Sequence, residues 1–457
     1  MQKFYGGSLM LCPSFISKNI FYPVWDIWDK SKKLQVLKSL EKSQWKESVE
    51  LELYQWQRFK DILNYAYLNS PYYKKLFDNK GLTPDSFRTR ADLPLLPITR
   101  KLDVRNNLEK FLSVPYDKAE LIQAKTGGST GFSLELYFDK ACQEHRNAAA
   151  LRSDRWAGWN LGMVRGELWG NPPRAGSLKE KIRHELLDRV FYLDTMQING
   201  DSIASFLNVC SQHNIEVIFG HAHSIYIYAK YIHEQRLSVA PLKGIIATSM
   251  MLLSHERELI EKVFACKVTN RYGCEEVGLI ACECEKHHGM HINAENVLVE
   301  FIREDGTAAD ENEMAKIVVT DLRNQGMPLL RYQIEDMGSF SSRVCACGRG
   351  LPLLEKVSGR VADFLKTSNG DSVAGISLIE RTLTKVIGIE QMQLVQDELE
   401  RLKVNRVKGQ GYTDNSDQIL IGELKQVFGD DVSIDIWDVD SIPQLANGKY
   451  RFSICNL

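Results

Sequence analysis

The sequence predicts an α/β fold in two parts, a large N-terminal domain over residues 1–359 and a small α+β C-terminal domain over residues 360–457. Three observations lead there. Between residues 120 and 340, β-rich runs alternate with helical stretches, the pattern of a body with a mostly parallel core sheet and antiparallel additions. Around Gly359-Arg360 the composition changes, and shorter elements follow a glycine-containing linker. With 457 residues, 44% of them hydrophobic and 25% charged, the chain can bury a sizeable core.

The elements follow in order. Leu9 to Trp28 is rich in Leu, Ile, Phe and Trp but interrupted by Pro13, Lys18, Pro23 and Asp26. It lacks the clean apolar region and small-residue cleavage site of a signal peptide, and the expectation is an aromatic strip packed on the body, contact with a partner or membrane surface being the fallback. Leu53, Trp56, Phe59, Ile62, Leu63 and Ala66 recur at helical spacing and predict an amphipathic helix. The segment from Asp92 to Asn107 alternates Pro-marked turns with a helix start. Asn214 to Gly220, Lys243 to Ser249, Val297 to Ile302 and Lys316 to Thr320 read as strands. In the C-terminal module, helices are expected near 376–386 and 417–428 and strands near 392–396, 402–407 and 432–439. No internal repeat or low-complexity tract appears.

Composition excludes several classes. Lys and Arg total 57 against 59 Asp and Glu, a net charge of −2, which removes a strongly basic nucleic-acid binder. No apolar run approaches the ~18–20 residues that span a bilayer, so no integral membrane segment is expected. Ten scattered cysteines suit a reducing compartment, hence the cytoplasm, rather than a disulfide scaffold. A homodimer is left open.

Lys125 to Gly131 reads K-T-G-G-S-T-G ahead of the alternating strand LELYF. Thr126, Gly127, Gly128, Ser129, Thr130 and Gly131 would let the backbone approach an anion while supplying hydroxyl donors. The loop is not a Walker loop, because no Gly-Lys-Ser/Thr follows. Downstream lie R-Y-G-C-E-E (Arg271, Tyr272, Gly273, Cys274, Glu275, Glu276), R-Y-Q-I-E-D ending at Asp336, S-G-R-V-A-D with Arg360, and N-G-K-Y-R with Lys449. Glu276 could hold a Mg²⁺ that bridges phosphates, since that ion takes hard oxygen ligands. Asp336 could accept ribose hydroxyls. Lys449 could neutralise charge developing at an α-phosphate.

Together these motifs resemble the adenylate-forming ligase superfamily, and within it the phenylacetate:CoA ligase-like branch with its capsule-associated and coenzyme F390 synthetase-like members. The resemblance runs from Asp92 to the C-terminal GKYR. It implies a large domain that binds ATP and a carboxylic acid, and a mobile small domain that turns about a hinge at Arg360 to Asp363. It also implies contact of Arg360 with the ribose, a catalytic Lys449, acyl-AMP formation with pyrophosphate release, and acyl transfer to a thiol, CoA being the expected one. The sequence departs from the superfamily pattern at Phe132-Ser133, where many members carry a Lys and a Pro, and at Cys274-Glu275 before the metal-binding Glu.

Cys284, His291, Cys345 and Cys347 form a set that could complete a structural zinc site, with Cys282, His287 and His288 as competing ligands and metal-free thiols as the alternative. Trp156, Trp159, Trp169, His221, His223 and Tyr226 cluster where the family builds its acid pocket, with packing in the core as the equal alternative. Two further readings stand beside the CoA ligase: an adenylating enzyme that serves an amine, a hydroxyl or a carrier protein in surface polysaccharide or secondary-metabolite biosynthesis, and a vestigial zinc-stabilised binding protein.

Overall fold

The structure, a computed structural model, describes residues 13–126, 134–170, 177–196, 198–358, 364–369, 371–409, 411–442 and 451–457. Its centre is an 11-stranded sheet of order β10-β11-β12-β13-β9-β8-β7-β6-β5-β3-β4. One half holds β3 (Arg165–Trp169), β4 (Val190–Asp194), β5 (Val217–His221), β6 (Gly244–Thr248) and β7 (Val268–Cys274), joined by four parallel pairings. The other half holds β8 (Gly278–Glu283), β9 (Met290–Ile292), β10 (Val297–Ile302), β11 (Ala315–Asp321), β12 (Tyr332–Ser341) and β13 (Leu353–Ser358). Six antiparallel pairings tie these to one another and to β7, so the antiparallel part is larger than the addition that the sequence suggested. The reason is local: these strands follow one another through turns, whereas each parallel pair needs a crossover helix.

The parallel strands read as continuous apolar runs because both faces are covered. Ile218, Ile245 and Ala247 pack with Ile203, Phe206, Ile225, Tyr228 and Ile260 from helices on one side. Val217 and Ile246, one residue out of phase, pack on the other side with Tyr22, Trp25, Leu37, Leu40, Ala148 and Trp159. Alternation along a strand thus feeds two separate cores. A third core joins helices Ser48–Asn69 and Pro71–Lys80 to the antiparallel half and to the two-stranded sheet of β1 (Ile122–Lys125) and β2 (Glu135–Phe138). In helix Ser48–Asn69, Phe59, Ile62, Leu63 and Ala66 are buried as expected, but Leu53 is exposed, since it lies on the face opposite the one that buries Leu51, Gln55 and Ile62.

The C-terminal module is a four-stranded sheet of order β18-β17-β16-β19. It comprises β16 (Ile389–Glu398), β17 (Arg401–Lys408), β18 (Ser433–Asp438) and β19 (Ser453–Cys455), with helices Gly375–Lys385 and Asp414–Phe428 and a hairpin of β14 (Phe364–Lys366) and β15 (Ser372–Ala374). The expected helices and strands of this module are present, and β19 and the hairpin are additional. Its core is built mainly from its own residues, joined among the described residues by Met196 and Met250 of the large body. Among the described residues no helix is long and apolar enough to cross a membrane.

Candidate active site and metal centre

A cavity of about 790 Å³ opens at the carboxyl ends of β3, β5, β6 and β7, the edge at which open α/β sheets bind ligands. β7 and β8 form the hairpin that carries R-Y-G-C-E-E, with Cys274 opposite Gly278. Gly278 has φ +77°, and a Cβ there would lie 2.8 Å from Nε of Arg146. The glycine therefore permits both the left-handed turn and the close passage of Arg146, which donates to the Glu275 carbonyl at 2.7 Å.

The two glutamates part company in this turn. Glu276 is 8% exposed and accepts a hydrogen bond from the Tyr332 hydroxyl at 3.1 Å. Glu275 has a side chain 52% exposed, 3.7 Å from Arg146. The reverse link also exists, because the Tyr272 hydroxyl donates to Asp336 at 2.9 Å. Each motif thus sends a tyrosine to the other's carboxylate, although β13, β9 and β8 lie between β7 and β12 in the sheet order. Burial pushes the Cys274 thiol far above its ordinary range, with the neighbouring Glu276 adding to it, so this sulfur is an inert wall of the cleft.

Arg331 explains the Pro-rich segment. Its guanidinium donates to the Leu93 and Leu96 carbonyls at 3.0 and 2.5 Å and pairs with Glu300 at 2.9 Å. Thr99 completes the lacing: its N–H donates to the Arg331 carbonyl at 2.9 Å, and its carbonyl accepts from the Gln333 N–H at 3.0 Å. This seats Lys101, two residues on, in the cavity wall.

Thr126, Arg271, Tyr272, Gly273, Glu276 and Asp336 all line the cavity. Thr126 and Leu134 clasp each other, N–H to carbonyl at 2.9 Å and Leu134 N–H to the Thr126 hydroxyl at 2.8 Å. Arg271 is engaged elsewhere, with its guanidinium 2.5 Å from Asp154, so it braces the wall rather than offering a free charge. Gly127, Gly128, Ser129, Thr130, Gly131, Arg360 and Lys449 lie outside the described residues.

The expected acid pocket divides. Trp169 and His221 line the cavity, their rings 4.1 Å apart. Burial lowers the His221 pKa to about 4 and keeps the imidazole neutral. The other four face elsewhere. Trp156 packs on His291 with ring centroids 5.8 Å apart, Trp159 joins the core under the sheet, His223 pairs with Glu256, and Tyr226 stacks on His223 at 5.6 Å. The reason is helical geometry: Trp156 ends one helix and His223 and Tyr226 open another, and their faces turn from the strand ends. Sequence reasoning missed Lys101, Arg146, Asn270, Thr248, Ser249 and Arg381, which also line the cavity. Thr248 and Ser249 had a signal, as they terminate a buried strand, and Ser249 takes φ +65°, a strained backbone of the kind that collects at functional sites.

The Cys/His set is gathered on the far side of β8. Ligand atoms of Cys284, His291, Cys345 and Cys347 lie within 4.8 Å of one another. Cys284 and Cys345 sulfurs are 3.7 Å apart, and His291 Nε2 is 3.2 Å from the Cys347 sulfur. His291 Nδ1 is 3.2 Å from the Leu351 carbonyl, which fixes the proton there and leaves Nε2 for a metal. The N–H groups of Lys286 and Arg349 each reach a cysteine sulfur at 3.4 Å, a favourable setting for thiolates. Burial pushes the Cys284 thiol up to about 12. At Cys347 burial acts the same way, but the bonds from Arg349 prevail and lower its pKa. Two competing candidates are engaged elsewhere, Cys282 donating to the Glu283 carbonyl and His287 lying 3.3 Å from the Glu283 carboxylate, and the third, His288, is exposed and outside the cluster. The donor set of three thiols and one imidazole, with three of the four residues buried, fits zinc.

Comparison with known proteins agrees with this architecture. A family profile described as the CapK C-terminal domain matches residues 365–456. Protein CapK of Staphylococcus aureus is 25% identical over 407 residues, covering 88% of each chain. Phenylacetate-coenzyme A ligase of Thermus thermophilus is 27% identical over 328 residues, 69% of this chain and 71% of that one. Among solved structures, 2-hydroxyisobutyryl-CoA ligase with 2-HIB-AMP and CoA in its thioesterification state has a TM-score of 0.61 at 14% identity, covering 91% of both chains. The fold is therefore that of the ligases.

Proposed function

We propose a reaction for this chain, which by its relatives and fold is an adenylate-forming ligase of the phenylacetate-CoA ligase-like branch: it activates a carboxylic acid with ATP to acyl-AMP and pyrophosphate, then passes the acyl group to the thiol of CoA. The observation that carries this reading is the interlocked pair Tyr272–Asp336 and Tyr332–Glu276 at one wall of a cavity large enough for a nucleotide. In this reading Asp336 receives the ribose hydroxyls while Tyr272 holds its carboxylate in place. Thr126 and the loop from Gly127 to Gly131 wrap the phosphates. Glu276, oriented by Tyr332, would hold Mg²⁺, which supplies charge neutralisation across the phosphates when bound. Arg360 would contact the ribose and Lys449 would serve the α-phosphate, on a small domain, residues 360–457, that reorients between half-reactions. Trp169 and neutral His221 bound the acyl end. Zinc on Cys284, His291, Cys345 and Cys347 stabilises the fold and takes no part in the chemistry.

The test is acid-dependent exchange of labelled pyrophosphate into ATP across a panel of aryl, fatty, hydroxy and amino acids. One acid class should switch exchange on, and Lys449→Ala should reduce it by about a hundredfold or more. Exchange indifferent to every acid and to Lys449→Ala would refute adenylation. AMP release that requires an amine or a sugar in place of CoA would reassign the acceptor.

A further inference from the structure

The helical segment that opens the described chain, residues 14–28, turns one face inward and leaves the other uncovered. Inward, the Ser17 hydroxyl donates to the Leu186 carbonyl at 2.5 Å, the Tyr22 hydroxyl donates to the Leu187 carbonyl at 3.0 Å, and Trp25 is buried. Outward, Phe15, Ile20, Val24, Ile27 and Trp28 are 51–78% exposed. The turn Ser17–Phe21 is a π-helix, so the five-residue step from Phe15 to Ile20 stays on one side, and Val24, Ile27 and Trp28 continue the stripe at α-helical spacing. Helix Leu178–Arg183 lies alongside, with Lys179 Nζ 5.1 Å from the Trp28 ring and 2.6 Å from Asp29, and it adds Leu178, 74% exposed, to the apolar surface.

The charge around this stripe departs from that of the chain. Segments 13–33 and 177–189 hold eight Lys or Arg against five Asp or Glu, whereas the whole protein is −2. The acids are largely engaged: Asp26 is buried and 3.6 Å from Lys33, Asp29 is held by Lys179, and Asp188 lies 3.4 Å from Arg183. Lys30, Lys32 and Lys181 remain exposed at the edge.

We propose that this face docks on an anionic membrane surface, with the apolar stripe entering the headgroup boundary and the lysines meeting the lipid charges. An exposed row of Phe, Ile, Val and Trp rimmed by cations has the anatomy of a helix that lies in the bilayer interface. A second copy of this chain is a poorer occupant, because two cationic rims would face each other. The proposal does not depend on the ligase reading.

The experiment is co-sedimentation of the full chain with large vesicles, either phosphatidylcholine alone or equal parts phosphatidylcholine and phosphatidylglycerol, at low and high salt. The chain should pellet with the anionic vesicles, less so at high salt. Val24→Glu with Ile27→Glu should weaken partitioning by about tenfold or more, and Lys30→Glu with Lys32→Glu should weaken it while removing most of its salt dependence. Unchanged circular dichroism of both variants confirms that the fold is intact. Failure to pellet, equal binding to neutral vesicles, or binding that neither variant alters would overturn the proposal. So would light scattering that shows a wild-type dimer abolished by Val24→Glu with Ile27→Glu.

Discussion

At the Cys284 cluster, four ligand atoms from three short segments lie within 4.8 Å of one another, whereas the cleft spreads its polar groups around about 790 Å³. The first is closed, with its imidazole pinned by the Leu351 carbonyl at 3.2 Å and its cysteines touched by neighbouring N–H groups at 3.4 Å. The second is open, and its Asp336 and Glu276 each accept a hydrogen bond from a tyrosine hydroxyl. A centre that serves stability needs every valence filled from within, while a centre that serves chemistry must leave valences for a substrate. β8 links the two: its last residue, Glu283, lines the cleft, and the next residue, Cys284, belongs to the cluster.

The largest effect that would sharpen this contrast lies in the cluster. Cys284→Ser should remove bound metal and cost at least about 4 kcal/mol of stability, since structural zinc contributes directly to folding. Metal analysis and denaturant melts check it. A variant that keeps its stability but loses ATP affinity would break the separation of the two sites.

An intermediate effect belongs to the cleft. Burial lowers the His221 pKa to about 4, so between about 6.5 and 4 the unfolded chain binds a proton that the folded chain refuses. The contribution of His221 is therefore complete above pH about 6.5 and declines on acidification by about 3 kcal/mol. Denaturation midpoints followed with pH should show this slope, and His221→Phe should flatten it.

The smallest effects separate the two tyrosines. Tyr272→Phe should raise the KM for ATP about fivefold with stability unchanged, as it removes one hydrogen bond at a half-buried site. Tyr332→Phe, at a fully buried position, should lower kcat and also destabilise by about 1 kcal/mol. Steady-state kinetics beside thermal melts distinguish the pair, and equal behaviour of the two variants would deny Glu276 and Asp336 separate roles.

The sequence by itself determined much of the strand and helix succession and the residue types that meet in the cleft and in the Cys/His cluster. These are local properties. Asn214 to Gly220 reads as a strand from its own residues, and Cys345-Ala346-Cys347 places two thiols close together whatever lies around them. Only the tertiary structure decided which of two adjacent glutamates is buried against Tyr332, that Tyr332 and Tyr272 exchange partners across three intervening strands, and that Arg271 is spent on Asp154. It also decided that Trp156, Trp159, His223 and Tyr226 turn from the cavity while Lys101, Arg146 and Arg381 line it. The physical reason is that periodicity reports whether a side chain is covered but not by what. Partners far apart in sequence meet only once the twist of the sheet and the packing of its helices have set their directions.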